Sequence, residues 1–282
     1  MDFQRTMVGG ISLPRLIIGS NWFLGYSHTS SAADSMIKQK NDNALVLAEI
    51  LEVYLNAGIN AIMAPITGSD YLINAIKIAE NKTGQKMIII DTPGINVDDT
   101  EAARKEAERT IKQSKENGAT FCFLHHSSAE QLVNKNKRTI DRLPDYLYMI
   151  RENGLIPGLS AHMPELIVYA DQNEYDVESY VQIYNCAGFL MQVEIENVHR
   201  IIWEAKKPVM TIKAMAAGRV SPFVGLSFNW HTIRPCDMVT VGSFTVEEAY
   251  EDIEISRAAL EHRPPVLTAR DSPFVTEILH SK

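Results

Sequence analysis

Short apolar runs alternate with amphipathic stretches along the chain, and the alternation predicts strands and helices in turn. The candidate core strands are Leu16–Ser20, Ala61–Pro65, Met87–Asp91, Thr120–His125, Ile156–Ser160, Tyr180–Asn185, Val209–Lys213 and Met238–Val241. Each is apolar without strict two-residue alternation, as expected of parallel strands buried on both faces. Several follow a turn signal such as Ala57-Gly58, Asn117-Gly118 or Asn153-Gly154. Between them, Ala44–Asn56 carries apolar residues at helical spacing. Asp98–Glu116 opens with acids, which favour a helix N-terminus. Thr245–Leu260 starts with the Thr-x-x-Glu pattern of a capping box. Before the first core strand, Met7–Leu16 holds a Gly-Gly turn between extended pieces, which predicts a hairpin.

Eight strand–helix units favour a closed (β/α)8 barrel of the α/β class over an open sheet. No linker or tandem repeat interrupts them, so residues 1–282 are expected to form one barrel domain. Two segments exceed simple connectors: Asn21–Asn43 after the first strand and Ala214–Thr232 after the seventh. Both follow strand C-termini, the side on which barrels build their sites.

Composition narrows the partners. The 282 residues are 45% apolar and 22% charged, with a formal net charge of −8. No Lys/Arg-rich run is present, so nucleic acid and anionic membranes are not expected partners, and a small molecule is. The odd, widely spaced Cys122, Cys186 and Cys236 suggest neither a disulfide framework nor a zinc knuckle. With no secretion signal and no long apolar span, a reduced, cytoplasmic setting is the simplest reading.

The predicted strand ends bring Asn21, Asp91, His125, Ser160, His162, Asn185 and Lys213 to one rim. His125 closes Phe121–Leu124 and is the leading acid/base candidate, since imidazole exchanges protons near neutrality. By strand alternation its neighbour His126 is expected to point elsewhere. Asp91 is the candidate partner of His125, or else a helix cap or turn residue. Lys213 ends a buried strand, where an unpaired ammonium is costly, so it is expected to pair with an acid, bind an anion or form a Schiff base. Asn21, His162, Asn185 and Arg219 are candidate substrate contacts. Gly242, Ser243 and Thr245, between the eighth strand and its helix, are candidate phosphate contacts, although Glu247 and Glu248 would oppose a large anion. A divalent metal could take Asp91, His125 and His162 as ligands. Neither the G-x-G-x-x-G fingerprint of dinucleotide sites nor the G-x-S-x-G elbow of hydrolases occurs.

These pieces resemble the aldo-keto reductase family over nearly the whole chain. The hairpin with LPRLIIGSNWFLG looks like that family's opening, and AGINAIMAPITGSDYLINAIK like its second strand and helix. FCFLHHSS, GLIPGLSAHMPELI and QIYN are similar to its fourth-, fifth- and sixth-strand motifs. The later pieces IKAMAAGRV and VTVGSFTVEEAYEDI are similar to its last two strand–loop units. The resemblance implies NADPH-dependent reduction by an Asp, Tyr, Lys and His set. Carried over by position, the histidine is His125, while the aspartate falls on Met63, the tyrosine near Thr67 and the lysine on Pro93. The basic residue for the cofactor's 2′-phosphate is matched by Glu247 or Glu248. NADPH is therefore not the expected cofactor.

The combined expectation is a metabolic enzyme with a rebuilt site, performing isomerase, epimerase or lyase chemistry on a polar, sugar-like or anionic carbonyl compound. An atypical NAD(P)H oxidoreductase and a non-catalytic ligand-binding barrel are the alternatives.

Overall fold

The structure, a computed structural model, describes residues 2–41 and 43–267. Two short strands, β1 (Arg5–Val8) and β2 (Ile11–Pro14), pair antiparallel across Gly9-Gly10, as the turn signal predicts. Both glycines have positive φ, which a hairpin of this hand requires. Four core strands follow: β3 (Leu16–Gly19), β4 (Ala61–Ala64), β5 (Ile88–Asp91) and β6 (Phe121–Leu124). A small antiparallel pair, β7 (Val133–Asn134) and β8 (Thr139–Ile140), decorates the next connection and was not foreseen. Then come β9 (Ile156–Ser160), β10 (Tyr180–Ile183), β11 (Val209–Ile212) and β12 (Met238–Val241).

The eight core strands close in the order β3-β4-β5-β6-β9-β10-β11-β12, and every neighbouring pair is parallel. Several strands stop one or two residues short of the apolar runs, because Ser20, Pro65, His125 and Lys213 have already left the ladder. That departure frees their side chains for the mouth.

Strand residues divide between two cores. Ile17, Met63, Ile90, Phe121, Phe123, Val181 and Met210 fill the barrel interior, and Val8 and Leu13 of the hairpin close one end of it. Alternate residues such as Leu16, Ile62, Ile89 and Val239 face outward, onto helices including Ala44–Asn56 and Val246–Leu260. Gly158 on β9 belongs to this packing: a Cβ there would collide with the Phe123 ring that occupies the interior beside it.

The two long segments are largely helical. The first holds helices Asn21–Leu24 and Ser31–Lys40, and the second a 3₁₀ turn Ala216–Gly218 and helix Pro222–Thr232. The helix expected over Asp98–Glu116 begins at Glu101, capped by the Thr100 hydroxyl on the Ala103 N–H. Among the described residues no helix is long and apolar enough to cross a membrane.

Candidate active site

The strand C-termini surround a cavity of about 530 Å³. Met63, Val181 and Ile212 form its apolar depth, and Ser160 and Thr240 add hydroxyls. Thr240 Oγ1 is buried with no hydrogen-bond partner among the described residues, so a polar ligand in the cavity would satisfy it. The upper wall carries four histidines, His28, His125, His126 and His162, together with Lys213. The described lining contains no carboxylate.

His125 follows β6 and caps a single helical turn, His126–Ala129. Its Nδ1 lies 2.8 Å from Ser127 Oγ and accepts weakly from the Ser127 N–H at 3.4 Å. An acceptor at Nδ1 puts the ring proton on Nε2, which leaves Nε2–H to donate elsewhere. Burial, reinforced by His126, pushes His125 down to about 4, so the ring is neutral at pH 7.

The structure corrects the expectation for His126. The strand ends at Leu124 and helical geometry takes over, so two-residue alternation no longer applies. His126 lines the cavity, with its ring centroid 4.2 Å from that of His125 and 3.8 Å from that of His162. His162 sits two residues past β9, where Glu130 Oε1 accepts the N–H groups of both His162 and Met163, at 2.6 and 3.0 Å. Burial, then the neighbouring His126, Lys213, His125 and His28, push His162 down to about 3.

Lys213 follows β11 with φ of 62°, and Ala216 and Ala217 in the same loop also have positive φ. Its Nζ is 2.9 Å from Nε2 of His28, which arrives from the segment after β3. His28 Nδ1 lies 3.1 Å from the Tyr26 carbonyl, so Nδ1–H donates there and the Nε2 lone pair faces Lys213. Among the described residues no carboxylate lies within salt-bridge reach of Lys213. Burial pushes its ammonium down to about 8. His28 is the residue that the sequence reading missed, although it lies in a segment already marked as too long for a connector on the active side.

Asp91, Asn185 and Arg219 stand apart from the cavity. Asp91 alternates out of the barrel with Ile89, is fully buried, and accepts from the Ile66 N–H at 3.0 Å. Burial raises its carboxyl to about 6, and Ser114 with the Ile66 and Thr92 N–H groups offsets part of that shift. It therefore sits against the helical layer, away from His125. Asn185 holds its own loop: Oδ1 accepts from Ala187 N and Phe189 N, and Nδ2 donates to Phe189 O. Arg219 bonds the Ala216 carbonyl and covers the Phe189 ring at 4.1 Å. Asn21 does line the cavity.

The expected phosphate contacts divide likewise. Gly242 lines the cavity, but Ser243 is fully buried between Tyr54 and Asp252. Thr245 accepts the Glu248 N–H while Glu248 accepts the Phe244 N–H, so a capping box occupies this helix N-terminus.

The metal expectation also changes. Ligand atoms of His126, Glu130 and His162, and not those of Asp91, His125 and His162, lie within 4.8 Å of one another. The His126 and His162 rings are stacked 19° from parallel.

Of the reductase set that the resemblance implies, only the histidine, His125, stands in the cavity. Met63 lines the cavity where the resemblance places an aspartate, and Pro93 contributes only a carbonyl, which accepts from His125 N.

No protein-family model matches this chain, and no curated protein matches it by sequence. Solved structures match its fold. A protein from Pseudomonas aeruginosa assigned to the aldo-keto reductases superposes with a TM-score of 0.65 at 18% identity, over 92% of this chain and 97% of that one. An aldo-keto reductase from Klebsiella pneumoniae in complex with NADPH gives 0.52 at 14% identity, over 96% and 100%. The BexX/CysO complex of Amycolatopsis orientalis gives 0.55 at 13% identity, over 95% and 100%. The chain is thus a closed (β/α)8 barrel with the architecture found in aldo-keto reductases, an architecture that does not fix chemistry.

Proposed function

We propose that this protein is a metabolic enzyme that binds a small, oxygen-rich carbonyl compound in the barrel mouth and moves a proton on the carbon beside the carbonyl. The observation that carries this reading is the grouping of Lys213 with four histidines in a cavity whose described lining has no carboxylate. A lone cation there favours substrate oxygens that are anionic or become so.

The geometry supports the following roles. His125 Nε2–H donates to the carbonyl oxygen, a task suited to a neutral imidazole. The lone pair of His126 or His162, unprotonated at pH 7, takes the carbon-bound proton. Their low basicity makes that step difficult, and the Lys213 ammonium offsets this by stabilising the developing oxyanion. Returning the proton to the opposite face is epimerisation, and returning it to the neighbouring carbon is isomerisation. Thr240 Oγ1 offers one further contact to a hydroxylated substrate. Fold likeness alone supports the oxidoreductase alternative.

The test is exchange of carbon-bound protons in D2O, followed by NMR over a panel of small 2-oxo acids, hydroxyketones and sugar phosphates. At least one compound should exchange with the protein and not without it. His125→Ala and Lys213→Ala should each slow that exchange on the order of 100-fold, the usual loss of one oxyanion contact. Exchange at equal rates in both variants, or at no position of any compound, would sink the reading and favour a ligand-binding barrel.

A further inference from the structure

Lys213 and His28 meet in a way that oxyanion binding alone does not require. Both are non-glycine residues in the left-handed region, with φ of 62° and 58°. Such conformations cost about 1–3 kcal/mol each and persist where surrounding structure enforces them, often at functional sites. They are distant in sequence, one after β11 and the other in the segment after β3, yet place Nζ and Nε2 at 2.9 Å. The His28 proton is held on Nδ1 by the Tyr26 carbonyl, so the nitrogen facing the lysine is a proton acceptor. An ammonium meant only to bind anions is better served by a carboxylate partner, which would hold it charged. A neutral imidazole acceptor instead provides a route for its proton to leave.

We propose that Lys213 Nζ condenses with the carbonyl group of a small aldehyde or ketone to form an imine, with His28 carrying one proton away and back. The proposal rests on the carbonyl-substrate reading above and assigns Lys213 a covalent role within it. The ammonium first gives a proton to His28 Nε2. The freed lone pair attacks the carbonyl carbon, and the C=O π pair moves to oxygen, which takes a proton from the attacking nitrogen. The imidazolium then returns its proton to the carbinolamine hydroxyl, which leaves as water as the nitrogen lone pair forms the C=N bond. Ammonium plus carbonyl thus becomes protonated imine plus water, with His28 neutral again and no oxidant or reductant consumed. The iminium is the electron sink that the weakly basic imidazoles need to take the adjacent proton.

The burial that lowers Lys213 to about 8 works in the same direction. At pH 7.5 roughly two hundred times more of it is free amine than of an ordinary lysine with a pKa near 10.4.

Pyridoxal 5′-phosphate, an anionic aldehyde, serves as the probe on the intact protein at pH 7.5, with borohydride reduction and peptide mass mapping. Lys213 should be the first lysine labelled, tens of times faster than surface lysines. His28→Gln should slow its labelling several-fold. Lys213→Arg should leave only the slow surface reaction, with circular dichroism and thermal midpoint confirming the fold. Labelling of Lys213 no faster than of surface lysines, or none there, overturns the proposal. If proton exchange proceeds while Lys213 resists trapping, the imine is wrong and the acid/base reading stands. Trapping at Lys213 without exchange of any compound overturns the acid/base reading and leaves the imine assignment in place.

Discussion

Asp91 and Lys213 both end barrel strands, and burial moves each toward its neutral form, but only the lysine faces the cavity. For Asp91 the consequence is a stability that depends on pH. Its folded carboxyl titrates at about 6, above the ~3.9 of an unfolded aspartate, so the folded state binds more protons between those values. Stability from this group is therefore greatest below about pH 4 and falls as pH rises to about 6. Above that it carries a penalty of about 3 kcal/mol, at ~1.4 kcal/mol per pKa unit. Asp91→Asn retains an acceptor for the Ile66 N–H and removes the charge. Urea denaturation should show the variant more stable at pH 7.5, by up to ~3 kcal/mol, with the decline between pH 4 and 6 gone. An unchanged decline would place its origin in another group. The residue type at a strand end was legible in the sequence, but the face it occupies was not. Asp91 stays in the ladder and its place in the alternation turns it out of the barrel, whereas Asn185 was misplaced because its strand turns into its loop two residues early. His126 was misjudged for the same reason, because the backbone changes from strand to helix between it and Leu124.

At the scale of elements, eight strands and the main helices were readable because their apolar periods are long and their caps explicit, as with Thr245 and Glu248. The segments after β3 and β11 were recognisable only by length, since their short helices bury few residues and, besides Gly25 and Gly218, their positive φ values fall on His28, Lys213, Ala216 and Ala217. Sequence cannot mark a left-handed position when glycine does not occupy it. The second segment is held by close backbone approach: a Cβ on Gly225 would lie 2.6 Å from the Ala214 carbonyl oxygen and 3.3 Å from Met215 Cα. Those atoms are backbone and cannot yield as a side-chain tip does. Gly225→Ala should therefore displace the loop that carries Lys213, although it adds only a methyl group. The expected result is a loss of Lys213 labelling selectivity by tenfold or more, with overpacking costing about 1–3 kcal/mol of stability. Retained selectivity alongside a lowered thermal midpoint would mean that helix Pro222–Thr232 moves and the loop does not.

The whole molecule separates the groups that hold it together from those proposed to act. At the end of the barrel closed by the hairpin, Asp237 is fully buried, joined to Arg234 at 2.7 Å and accepting from Val209 N at 2.8 Å. Arg15 donates to the carbonyls of Asp237 and Arg234 and reaches Gln4 Oε1, which ties the entry to β3 to the turn before β12 and thus seals the barrel seam. In this network Arg234 and Asp237 neutralise each other, and the Arg15 guanidinium is satisfied by two carbonyls and Gln4 Oε1. At the mouth Lys213 has no partner of opposite sign among the described residues, and burial lowers its pKa as a result. Conserving a fold requires the first arrangement, whereas the second costs free energy that a purely structural barrel would have no reason to retain. The two ends should therefore respond in opposite ways to substitution. Asp237→Ala strands Arg234 and should cost about 3–5 kcal/mol by urea denaturation, while the folded fraction still labels at Lys213 as the parent does. Lys213→Met keeps the length of the side chain without its charge, and should leave stability unchanged or slightly raised while slowing proton exchange on the order of 100-fold. A Lys213→Met protein destabilised as severely as Asp237→Ala would mean that this lysine supports the barrel, and the division between the two ends would fail.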